Sequence, residues 1–247
     1  MRIALLISGR GSTANSIINA INTGQLPGVI PACVVSSRTN AAGIERVQAA
    51  GIPKDKVYVV SPSPFPKGRG PLAVRDFSFG EALLKIFKDN AVDFIGQYGW
   101  LAMTPSNVIE KYKNMMTNQH DGPLDPGRPD FGGEGMYGLR VCCARLLFVR
   151  KTNHDFWTEA TSQRVALKFD EGAVVKTARV PILQNDTPEA LSARLLPVEH
   201  QLQIDTLRDF ASGTVKEIHR DQPLIASKEI GVLNWAKKEA VLKYPKG

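Results

Sequence analysis

Apolar positions along this chain come in short blocks, and their spacing changes character from block to block. Arg2 to Ile7 is a near-continuous apolar run that reads as a buried strand, closed by the glycine-rich turn Ser8-Gly9-Arg10-Gly11-Ser12. From Thr13 to about Asn22 the residues Ile17, Ile18 and Ile21 share one helical face, with Ser12 placed to cap the start. Gly28 to Ser36 repeats the strand pattern, Asn40 to Ala50 the helical one up to Gly51, and Val57 to Val60 is a short third strand. Strands alternating with helices at this spacing predict an α/β fold, a Rossmann-like, mostly parallel sheet flanked by crossover helices.

Prolines at 62, 64, 66 and 71 make Ser61 to Pro71 a loop. Phe77 to Asn90 returns to helix, Val92 to Gly96 is a fourth buried strand, Ser106 to Lys113 is helical, and Met115 to Thr117 is a short strand. Asp121 to Gly138, with six glycines and three prolines, is irregular backbone. Loops of that length inside a compact domain are usually functional or disordered. Leu139 to Leu147 reads as helix, and strands are expected at Leu146 to Arg150 or Val165 to Leu167. Ala173 to Ile182 alternates as a strand, and Pro188 to Asp209 is a long amphipathic helix that contains Pro197. The expected organisation is a domain over 1–213, with 214–247 a small C-terminal extension of it, a hairpin followed by a basic tail.

Composition changes this picture little. With 43% hydrophobic and 22% charged residues, the chain has the makings of an ordinary packed core. The apolar start, Met1 to Ser8, is too short for a membrane span or a signal-peptide core, so a cytoplasmic protein with no membrane partner is expected. Cys33, Cys142 and Cys143 lack metal or redox spacing and are expected as reduced thiols. The net charge of +7 fits either nucleic-acid binding or a basic surface with a few cations aimed at small anions. No dense basic patch with interleaved aromatics is present; only Lys237-Lys238 through Lys243 and Lys246 is locally basic, which argues against a nucleic-acid partner. A monomer or a homodimer is expected.

Four positions carry candidate chemistry. The turn Ser8 to Thr13 joins a strand to a helix, and glycines there let helix-terminal amides approach an anion, though the same residues suit a plain tight turn. Neither the dinucleotide fingerprint nor a phosphate-loop lysine is present. The triplet Asn118-Gln119-His120 holds one of only four histidines. An amide donor beside an imidazole suits attack on a carbonyl, where oxygen gains charge and a nitrogen loses a proton. These residues are expected just past the Met115 to Thr117 strand, the end at which parallel sheets bind ligands. Asp170-Glu171-Gly172 is either an ordinary turn or the carboxylate that orients His120. Glu199-His200, on the last long helix, is a ligand contact or a partly buried acid and histidine.

Taken in order, Ile7 to Ser12, Asn40 to Ile52, Asn118-Gln119-His120, Asp170-Glu171-Gly172 and Val198-Glu199-His200 resemble the glycinamide ribonucleotide formyltransferases. The resemblance covers roughly residues 1–115 and 160–213. It implies formyl transfer from 10-formyltetrahydrofolate, a co-substrate, to the amine of glycinamide ribonucleotide, with no metal. It implies that Asn118 stabilises the oxyanion, His120 supports it or shuttles a proton, and Asp170 orients His120 and relays that proton. It further implies Gly11, Ser12 and Thr13 at the substrate phosphate, and Glu199, with Gln119, at the rest of the substrate. The folate would lie along Tyr98, Gly99, Trp100, Leu101, Ala102 and Met103, with a second wall from Ala166 to Glu171. The chain departs from the family after His120, where Asp121-Gly122-Pro123-Leu124-Asp125-Pro126-Gly127-Arg128-Pro129 replaces a Pro-Ser-Leu-Leu-Pro-like loop and the gap to Asp170 is longer. Glu171 stands where glycine is usual, Leu101 where arginine is common, and Leu196-Pro197 leaves no lysine there. Other readings are formyl transfer to another phosphorylated amine, a formyltetrahydrofolate hydrolase, and a non-catalytic nucleotide- or RNA-binding protein.

Overall fold

The structure, a computed structural model, describes residues 1–62 and 75–245. Most of the expected loop from Ser61 to Pro71 and the last residues of the basic tail lie outside them. The chain forms two compact units, one of Met1–Asn118 with Leu207–Thr214, the other of Gln119–Thr206 with the residues from Val215 onward.

The first unit is built on parallel strands: β1 (Arg2–Ile7), β2 (Ile30–Ser36), β3 (Val57–Val59), β4 (Phe94–Gln97) and the start of β5 (Met116–His120). Helices α1 (Ser12–Asn22), α2 (Gly43–Ala49), α3 (Arg75–Asp89) and α4 (Ser106–Lys111) make the crossovers between successive strands. The apolar run that defines β1 is what places it centrally, since Ile3 to Ile7 are fully buried with strands on both sides. The second unit holds α5 (Leu139–Thr152), β6 (Trp157–Arg164), β7 (Val174–Pro181), most of α6 (Pro188–Ser212) and α7 (Ile230–Lys243). β6 and β7 are antiparallel, and the strand order is β3-β2-β1-β4-β5-β6-β7. The order reverses between β1 and β4, so the loops after those two strands flank the position at which an open α/β sheet receives a ligand.

Expected elements in the first unit appear with shifts of a few residues at their ends. Ser12 is not the cap of α1: Gly11 takes that position at φ +63°, with no side-chain cap. The reason is steric, because Gly11 and Gly43 cross backbone to backbone. A Cβ on Gly11 would stand 2.8 Å from the Cα of Gly43. Three expectations in the second unit are corrected. Leu146 to Arg150 is the second half of α5, and Val165 to Leu167 lies in the β6–β7 loop. The real strand, β6, was hidden because its buried residues are polar: Thr158, Glu159, Thr161, Ser162 and Gln163. Hydrogen bonds of Thr161 Oγ1 to the Gly122 carbonyl at 2.8 Å, of Ser162 Oγ to Gln203 at 3.2 Å and of Gln163 Nε2 to Asp170 at 2.6 Å offset part of the loss of water. The segment after Gly213 is not a hairpin. Ile218 makes one isolated antiparallel bridge to Val174, and α7 follows, with Leu233, Ala236 and Ala240 buried.

The second core gathers Phe131, Val141, Leu146, Phe148, Leu191 and Leu233. Arg145 is fully buried inside it, donating to the carbonyls of Trp157 and Asp155 at 2.8 and 2.7 Å and lying over the rings of Phe131 and Trp157. Burial pulls its pKa down to about 10, so carbonyl acceptors and aromatic faces hold the cation there. Among the described residues no helix is long and apolar enough to cross a membrane.

Gly11→Ala is expected to destabilise the first unit by about 1–3 kcal/mol, since it adds a positive-φ penalty to a backbone clash. Thermal unfolding checks this, and an unchanged midpoint would show that the two glycines do not constrain each other.

Candidate active site

In the first unit the turn after β1 is held from two sides. The Ser8 amide donates to the Gly99 carbonyl at 3.0 Å, and the Leu101 amide donates to Ser8 Oγ at 2.8 Å. On the other side Ser8 Oγ shares a 2.6 Å hydrogen bond with Ser37 Oγ, and the Gly43 amide donates to the Gly9 carbonyl at 2.9 Å. Gly11 and Thr13 are buried and Ser12 is half-buried. With no side chain capping α1, its first-turn amides are left for another acceptor, the arrangement a phosphate uses.

The strip after β4 divides by exposure. Tyr98 is packed against Gly96, where a Cβ would meet its ring, and Trp100 stacks on Phe79 with the planes 2° apart and 6.4 Å between centroids. Both are core side chains, so they build the floor of this strip. Leu101 and Met103 are exposed at 42% and 40%, and Ala102 is half-buried, so these residues present apolar surface.

Asn118, Gln119 and His120 lie within β5 rather than past its end, which corrects the expected strand boundary. The strand runs on because Asn118 pairs in register with Gln97 of β4. In the second unit, Gln119 Nε2 donates to Glu199 Oε2 of α6 at 3.1 Å. Glu199 is almost wholly buried. Burial, then the nearby charge of Asp121 and a hydrogen bond with it, raise its carboxyl well above the ordinary 4.5. The adjacent His200 is half-buried, and desolvation lowers its pKa.

His120 is 4% exposed, and both of its ring nitrogens face acceptors. Nδ1 lies 3.6 Å from Asp170 Oδ2, and Nε2 lies 3.2 Å from the Phe131 carbonyl. Asp170 sits in the β6–β7 turn at φ +58°. Its carboxylate is fixed by Gln163 Nε2 on Oδ1 at 2.6 Å and the Gly133 amide on Oδ2 at 2.9 Å. Gly132 is required beside it, because a Cβ there would stand 2.6 Å from both the Asp170 Cβ and Leu124. Ala166 is half-buried in the same turn. Glu171 turns the other way, accepting from the Gly127 amide at 2.8 Å and so tying that turn to the long loop.

The structure thus joins His120 with Asp170 and Gln119 with Glu199. Three participants were not anticipated: Gln163, Asp121 and the Phe131 carbonyl. Gln163 was invisible because its strand was missed, and a backbone carbonyl leaves no residue signal. Asp121 had one, as an acid placed directly after His120. The loop from Asp121 to Gly138 is ordered: Asp125 accepts from Arg128 at 2.7 Å and from the Leu224 amide at 2.9 Å, while Arg220 reaches the Leu124 carbonyl at 2.9 Å and also pairs with Glu159. Among the described residues no cluster of three or more His, Cys, Asp or Glu side chains is arranged to hold a metal ion.

Comparison with known proteins identifies the family. Residues 1–207 match the family model described as formyl transferase. The chain is 27% identical over 231 residues to a chloroplastic phosphoribosylglycinamide formyltransferase of Arabidopsis thaliana, covering 92% of this chain and 71% of that one. It is also 27% identical over 215 residues to the phosphoribosylglycinamide formyltransferase of Haemophilus influenzae, covering 87% and 89%. Among solved structures, glycinamide ribonucleotide transformylase 1 from Symbiobacterium toebii superposes with a TM-score of 0.71 at 28% identity, over 86% of this chain and 88% of that one. With the fold, the ordered Asn118-Gln119-His120 strand and a family match over most of its length, the chain belongs to the formyl transferase family.

Proposed function

We propose that the protein transfers the formyl group of 10-formyltetrahydrofolate to the primary amine of glycinamide ribonucleotide, a step of de novo purine biosynthesis. The observation that carries this reading is the buried His120–Asp170 pair, with the Asn118 amide two residues earlier on the same strand. Attack of the amine nitrogen forms a C–N bond to the formyl carbon and puts negative charge on its oxygen. Collapse breaks the bond to N10 of the folate, and the proton lost by the amine ends on that nitrogen. Asn118 donates a hydrogen bond to the developing oxyanion. His120, once its Nε2 exchanges the Phe131 carbonyl for the reacting group, supports the same charge or carries the proton. Asp170 holds the ring and takes part in the relay, through water.

The same reading assigns the substrate phosphate to the amides of Gly11, Ser12 and Thr13, and ribose hydroxyls to Glu199, with Gln119 positioning its carboxyl. Leu101, Ala102 and Met103 supply apolar surface for the folate, over the floor formed by Tyr98 and Trp100. Ala166 and Glu171 belong to the turn taken as the second folate wall, where Glu171 acts by fixing the long loop. The absorbance change of the folate on mixing both substrates with purified protein tests the reaction. No turnover would sink it, and folate turnover without the ribonucleotide would select the hydrolase.

Asn118→Ala is expected to lower kcat by about 10²–10³-fold. His120→Ala and Asp170→Ala are expected to lower it by about 10²–10⁴-fold with the fold retained; near-normal rates in all three folded variants would remove the mechanism. Glu199 gives a pH prediction. Because its folded value is raised, its contribution to stability is complete below pH 4.5, its ordinary value, and is lost as pH rises through the folded value. Glu199→Gln should abolish that decline in a series of melting temperatures against pH, and should raise KM for the ribonucleotide.

A further inference from the structure

Lys237 lies on α7, beyond the residues 1–207 that match the family model. Its ammonium nevertheless donates to the carbonyls of Asp130 and Gly132, at 3.2 and 2.5 Å. Those two carbonyls bracket the segment that grips the His120–Asp170 pair. The carbonyl of Phe131 faces His120 Nε2 at 3.2 Å, and the amide of Gly133 donates to Asp170 Oδ2 at 2.9 Å. Taking the proposed formyl transfer as the reaction, we propose that Lys237 is a positioning residue for it. By fixing the backbone of residues 130–133, it sets where Asp170 and His120 stand.

Three observations support this. The segment is anchored at its centre by buried Phe131 and by the Asp130 carboxylate, which accepts from the Gly132 and Asp125 amides, each at 2.8 Å. Gly132 and Gly133 add no side chains, so Lys237 fixes the two carbonyls on either side of Phe131. Second, the base of Lys237 is rigid. Leu233, Ala236 and Ala240 bury one face of α7, and Arg140 ties its end by donating to the Tyr244 and Pro245 carbonyls, both at 2.7 Å. Third, the ammonium is half-buried, so desolvation lowers its pKa while Asp130 and Asp170 favour its charge. A lysine on a solvated tail would incur no such cost. A 1 Å displacement near reacting groups costs up to about 10²-fold in rate, so a clamp at this distance has leverage.

The test compares Lys237→Met, which keeps the stem and removes the donors, with Lys237→Arg, which restores charge and donors. Lys238→Met, at the exposed neighbour, serves as control. Expected are a fall of about 10–100-fold in kcat for Lys237→Met, KM values for both substrates within about twofold, and partial recovery in Lys237→Arg. Lys238→Met should match the wild type. The ring signals of His120, followed by ¹⁵N NMR without ligands, should move in Lys237→Met. Unchanged kcat and unmoved His120 signals, with or without a lower melting temperature, would assign Lys237 to stability alone and overturn the proposal. If Lys237→Met does not fold, Lys237→Gln is read by the same two measurements. If the wild type transfers no formyl group, the functional reading fails separately. The His120 signals then decide the Lys237 contact, with movement upholding it and no movement overturning it.

Discussion

A carboxylate buried beside a histidine is useful only if its oxygens are held, and in this protein the Asp170 carboxylate is held from two directions. Gln163 on β6 donates to one oxygen and the Gly133 amide of the long loop to the other, which leaves the second oxygen 3.6 Å from His120. Each partner places a demand on the rest of the second unit. The Gln163 bond requires a strand whose buried face is polar, with the Gln163 amide nitrogen at the Asp170 carboxylate. The Gly133 bond requires a loop that comes close to Asp170, which the missing Cβ of Gly132 permits.

The first unit solves a different problem, packing the turn after β1 tightly while leaving α1 without a side-chain cap. Ser8 is bonded to the backbone after β4 and to Ser37, so the turn cannot collapse onto α1. Gly11 and Gly43 bring two backbones into contact and leave the start of α1 uncapped. Rigid placement of unsatisfied amides is what makes a helix terminus an anion site, because no reorganisation is needed when charge arrives.

Much of the first unit was legible in the sequence. The continuous apolar runs of β1, β2 and β4 mark strands buried on both faces, and the helical stripes between them mark crossovers. Asn118, His120 and Asp170 stand out in the sequence as candidates because few residue types suit carbonyl attack, and the structure brings His120 and Asp170 together. Less was legible in the second unit. β6 carries polar residues in a buried strand, so periodicity had nothing apolar to detect. In α7 the buried Leu233, Ala236 and Ala240 sit among lysines, and small alanines give little contrast against a charged surface.

The division has a physical origin. Steric limits on backbone angles and the burial period of a helix or strand act between residues a few positions apart, so a window of sequence contains them. That much settles the alternation of elements and the turn after β1. The contact of Gly133 with Asp170 spans 37 residues and that of Lys237 with Gly132 spans 105. No window includes both partners. Their meeting follows from how α5, α7 and the β6–β7 pair pack, and packing is a property of the whole second core. Tertiary structure alone therefore turned an irregular loop into the support of the His120–Asp170 pair, and a lysine of the expected basic tail into part of that support.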